Sequence, residues 1–107
     1  MKQIILATTN TIEGKNLQTL GIVQGNIVRA KDIGRAFVAS LKAGTVGGEI
    51  NIYTDLLNEA RATATGRMMA QAQAWDADAI VAVRMVTCSV MDGSSEVTVY
   101  GTAVKFI

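Results

Sequence analysis

The chain has 107 residues, half of them apolar and under a fifth charged, with a net charge of +1, one cysteine and no histidine. That length is one domain, residues 1–107; the near-neutral charge with scattered Lys and Arg gives no electrostatic case for a nucleic-acid partner. Cys88 has no partner for an intramolecular disulfide.

The first residues, MKQIILATTN, hold an apolar run too short for a signal-peptide core or a membrane span. The expected location is therefore the cytoplasm, without membrane association. Few aromatics mean that the apolar content is mainly Ala, Val, Ile, Leu and Met. Such content is high for a small monomer and points to a surface buried between subunits.

KQIILATT predicts a first strand, and NTIEGKN, with Gly14, a turn. LQTLGIVQGNIVRA resumes β character, with Gly21 and Gly25 as bulge or bend positions. KDIGRAFVASLKAG reads as a short helix with Asp32 as N-cap and Gly44 at its end.

A long helix follows Gly48. Tyr53, Leu56, Leu57, Ala60, Ala64, Met68, Ala72 and Trp75 recur at three- and four-residue intervals. About 25 residues of helix span about 37 Å, long for so small a domain, so part of it is expected against a neighbour. Trp75 is expected as a core or interface anchor.

AIVAVRMVTCSV and EVTVYGTAVKFI flank MDGS and predict a closing hairpin. A two-residue turn at Asp92–Gly93 sets Arg84 opposite Gly101 and Cys88 opposite Val97, with Met85 on the other face. Neither hairpin face reads as solvated, which predicts a sheet covered on both sides: by the helix on one and by a second subunit on the other. The expected fold is α+β, a small, mostly antiparallel sheet with one long helix packed on it plus a short helix.

The segments TTNTIEGK, GIVQGN, GGE followed by YT and EAR, ADAIVAVR and YGTAV together resemble the YbjQ family of bacterial proteins, in order over nearly the whole chain. The resemblance implies a ring-forming subunit, a pentamer, and carries a heavy-metal-binding label. Two positions depart from the family's pattern: Trp75-Asp76 stands where Leu-Gly is common, and Ala82 where Gly is common.

Few residues offer chemistry. Gly47-Gly48-Glu49 lacks the spacing and Lys of a P-loop, and Glu49 itself complements a helix start; the glycines are read as a connection between helices. Arg84 interrupts an apolar strand and needs a partner. An intersubunit salt bridge to Glu49, Asp55 or Glu59 is the expected arrangement, with Gly101 leaving room for the guanidinium. Its fork also suits a small anion, so Arg84, Glu49 and Tyr53 are the candidate ligand-binding set, or an enzyme site if they meet at a subunit cleft.

One Cys and no His cannot form a structural zinc site in a single chain. A metal would need Cys88 from several copies, with Met85 or Met91 as soft donors; the expected role of Cys88 is a small buried apolar filler. Asp55 and Glu59 fit a solvated helix face, and Tyr53 and Tyr100 fit packing roles. No catalytic constellation or cofactor motif is present. These features favour a homo-oligomeric binding or structural protein over an enzyme.

Overall fold

The computed structural model describes residues 3–29, 51–89 and 94–107. They form β1 (Ile5–Leu6), β2 (Leu17–Arg29), α1 (Asn51–Ala74), β3 (Ala79–Ser89) and β4 (Ser95–Phe106). The expected short helix over Lys31–Gly44, the Gly47–Gly48 connection and the Asp92–Gly93 turn lie outside the described residues.

The sheet order is β1-β3-β4-β2. β1 runs parallel to β3, and the other two pairings are antiparallel. The strand pattern follows from side-chain alternation: Val23, Gly25 and Ile27 of β2 pair with Gly101, Val99 and Val97 of β4, and this row faces α1. Their neighbours Ile22, Gln24, Asn26 and Val28 face away and are exposed.

α1 meets the sheet along a stripe four residues apart. Ala60, Ala64, Met68 and Ala72 are all fully buried, in one core with Val23, Ile80, Val99 and Ala103. Small side chains let the helix axis come close. At Gly25 a Cβ would overlap the Ala64 carbonyl oxygen and the Met68 nitrogen. Gly25 is thus the closest approach of strand and helix rather than a bend. The β2 irregularity falls between Thr19 and Gly21, one of the two positions expected for it.

Helix and β2 are also tied by polar contacts. Gln24 N–H donates to Gln71 Oε1 at 3.0 Å, and Arg67 Nη1 donates to the Asn26 carbonyl at 2.7 Å. These strand groups are not used by β4, so two helix side chains occupy part of the β2 edge.

α1 ends in a Schellman motif. Ala77 N–H donates to Ala72 C=O at 3.1 Å and Asp76 N–H to Gln73 C=O at 3.0 Å, with Asp76 at φ 56°. Trp75 is half-exposed, and its ring edge lies over Gly21.

The hairpin register differs from the expected one. Arg84 pairs with Tyr100, not Gly101, and Cys88 with Glu96, not Val97. The frame shifts again between Val81 and Arg84. The cause of the second shift is a β-bulge at Ala82, whose φ is 54°. Gly101 makes room for the core around this bulge: a Cβ there would meet Ile80 Cγ2, Val81 O and Val83 Cγ2.

Among the described residues only part of the sheet's second face is covered. Ile12 packs over Val81 and Val104 in a small second core with Leu17 and Phe106. Beyond it, Ile22, Val86, Tyr100 and Val28 are exposed. The expected cover for these residues is a second subunit, and the single chain leaves them exposed.

Candidate functional site

The segment after β1 builds the surroundings of Arg84. Ala7 N–H donates to Ile80 C=O at 2.9 Å, and Val83 N–H donates back to Ala7 C=O at 3.0 Å. The bulge turns Ala82 N–H onto Thr9 C=O at 2.8 Å. Arg84 follows directly, on the face turned away from α1. Its Nη1 donates to Thr8 C=O at 3.0 Å and to Val83 C=O at 2.9 Å.

Among the described residues no carboxylate pairs with Arg84. It is exposed, so its charge remains hydrated and needs no buried acid. Asp55 and Glu59 are exposed on α1, across the sheet from Arg84, so the expected ion pair with either would have to come from another subunit. Glu49 lies outside the described residues. Tyr53 belongs to the first turn of α1, so within one chain Arg84 stands on the opposite side of the sheet from the helix that carries it.

Cys88 is exposed, not a buried filler. Its cross-strand neighbour is Glu96, whose Oε1 accepts from Thr98 Oγ1 at 3.2 Å. Met85 pairs with Val99 on the helix-side face, so the two sulfurs point to opposite faces as expected. No group of three or more Cys, His, Asp or Glu gathers among the described residues.

The hairpin leaves a larger opening than any one residue. Beside β3, residues 5–9 hydrogen-bond only as far as Val83. From Arg84 to Ser89 all six residues are exposed, Met85 by 54% and Val86 by 48%. Among the described residues no strand lies along this edge.

A second concavity was not expected. The stretch 10–16, read as a plain turn, stands with Leu17 beside β2, β3 and β4 and borders an open cleft of about 470 Å³. Its floor is Leu17, Val81 and Val104, and its rim carries Lys15 and amide and hydroxyl side chains. Lys15 Nζ sits 5.1 Å from the centre of the Phe106 ring. The sequence signal for this feature was NTIEGKN itself, polar residues around one lysine; the bulge that seats the segment was not visible.

The chain is similar to several known proteins. A UPF0145 protein of Psychromonas ingrahamii is 50% identical over 103 residues, covering 95% of this chain and 97% of the relative. A UPF0145 protein of Alkaliphilus metalliredigens is 47% identical over 104 residues, 97% of this chain and all of the relative. A crystal structure from Pediococcus pentosaceus, of a DUF74-family protein with unknown function, superposes with a TM-score of 0.65 at 14% identity over 97% of this chain and 98% of that one, a likeness of fold. The family model described as "Putative heavy-metal-binding" matches residues 4–107, and on that match and these identities the chain belongs to the YbjQ family.

Proposed function

We propose that the protein is a non-enzymatic, homo-oligomeric subunit of the cytoplasm that assembles through the open β3 edge of its sheet and the exposed face beside it. The observation that carries this is the exposed run Arg84–Ser89 at the β3 edge. A lone subunit leaves there a strand edge with Met85 and Val86 half in water, an arrangement that templates pairing with another chain. The β2 edge is less open, because Gln71 and Arg67 hold its Gln24 and Asn26 backbone groups. The exposed Ile22, Val28 and Tyr100 on the same sheet extend the apolar surface a second copy would cover. A closed ring of five, implied by the family resemblance, is the form we adopt.

The non-enzymatic part rests on the lack of histidine and on the separation of Arg84 from the acids of α1. Light scattering at micromolar concentration tests the assembly. The wild type is expected as a multiple of the 11.3 kDa chain. The double variant Met85→Lys/Val86→Lys is expected to shift to monomer with its helical circular dichroism retained. A monomeric wild type overturns the reading.

One observation favours a second reading. Cys88 and Glu96 are neighbours on the open face, so each copy offers a thiol and a carboxylate, and copies meeting there would bring together the donors a soft metal needs. Elemental analysis of untagged protein tests it, since this reading requires bound zinc or copper in proportion to the chain.

A further inference from the structure

We propose that the cleft under residues 10–17 binds a small organic carboxylate, its apolar body on the sheet and its charge on Lys15. This goes beyond the assembly reading and does not depend on it.

The cleft has the two parts such a ligand needs. The floor is apolar: Leu17 and Ala82, both half-buried, present their side chains to it around the covered Val81 and Val104. The rim is polar. The side chains of Asn10, Asn16, Thr19 and Thr102 make no hydrogen bond to another described residue, so their donors are available.

The charge balance selects an anion. Lys15 is the charged residue of the lining, and none of the lining residues is acidic. Among the described residues Lys15 has no ion-pair partner. The lysine of β4, Lys105, is engaged with Asp76 at 3.4 Å. The Phe106 ring holds the Lys15 ammonium at the cleft by a cation–π contact, which reduces the freedom lost when it meets a ligand. A volume of about 470 Å³ lies within the range of small-molecule sites. An apolar floor offers nothing to an inorganic anion, and a neutral ligand would leave the ammonium unused; a carboxylate with a hydrocarbon body uses both.

Amide NMR titration of the full-length protein tests this with hexanoate, hexanol and inorganic phosphate as probes. Hexanoate is expected to give saturable shifts at residues 10–19, 81–82 and 102–104, with hexanol and phosphate each much weaker. Lys15→Met is expected to weaken hexanoate about tenfold or more, the loss of one charge-assisted hydrogen bond, and Lys15→Arg to retain most of the affinity. The proposal is overturned if hexanoate fails to saturate at these amides, if Lys15→Met binds it as the wild type does, or if hexanol or phosphate binds as well. Should Lys15→Met not fold, the comparison of the three probes on the wild type and Lys15→Arg decides.

Discussion

Gly25 of β2 and Ala64 of α1 stand backbone to backbone, so that the glycine's missing Cβ is the space the helix occupies. The relationship fixes how deeply α1 sits on the sheet, because Ala60, Met68 and Ala72 on either side are fully buried by the same approach.

Gly25→Ala should therefore destabilise strongly. The new methyl meets main-chain atoms of Ala64 and Met68, which cannot rotate away, so the loss is expected near 3 kcal/mol, the upper part of the usual overpacking range. Gly66→Ala is the matched control. It lies within α1 with open space around its would-be Cβ and should gain about 1 kcal/mol from helix propensity. Urea unfolding of both variants checks the opposite signs.

Asp76 and Ala82 are the non-glycine residues with positive φ among those described, at 56° and 54°. By the family resemblance, both also stand where a glycine is expected. The geometry explains the pattern: one is the left-handed residue after α1, the other the bulge of β3, and both favour a residue without Cβ. Ala82→Gly should stabilise by about 1 kcal/mol. Asp76→Gly should gain a similar amount less the Lys105 ion pair, which is solvent-exposed at both ends and worth little. Thermal or urea melts check this; an unchanged or lowered midpoint for Ala82→Gly would show that the bulge does not need the left-handed conformation.

Much of this fold was legible because periodicity reports burial. The stripe at Ala60, Ala64, Met68 and Ala72 and the alternation in β2 each state which side faces the core. The register of β3 on β4 was not legible. The pairs from Ser89 with Ser95 to Arg84 with Tyr100 already stand one position off the frame that the assumed turn sets, and the bulge at Ala82, unmarked in a run of small apolar residues, shifts the frame once more. The misplaced frame moved Arg84 from Tyr100 to Gly101 and so suggested a sheltered guanidinium needing an acid. The cleft at Lys15 was missed for the same reason, since the bulge organises the segment that walls it.

Cys88→Ser should be almost silent. The thiol is exposed on the open face, so no apolar pocket receives the hydroxyl, and stability should stay within about 0.5 kcal/mol. Elemental analysis run alongside separates the two readings of this residue. Unchanged, metal-poor protein fits the assembly reading; stoichiometric zinc or copper in the wild type that disappears in the variant makes Cys88 a ligand contributed by several copies.

Arg84→Met removes the charge and all donors while keeping most of the stem. If Arg84 answered a buried acid, the loss would be about 3–5 kcal/mol, because that acid would be stranded. The partners found are the carbonyls of Thr8 and Val83, and the guanidinium is exposed. Water can take over both carbonyls, so the loss should be about 1 kcal/mol, the ordinary net worth of a hydrogen bond. An exchangeable anion on Arg84 would leave a different trace: wild type would melt higher as phosphate is added, by mass action, and the variant would not. With carbonyls already on the guanidinium, melts of both proteins across a phosphate series should run parallel. A large loss in Arg84→Met would instead place an acid on this arginine from Glu49 or from another copy.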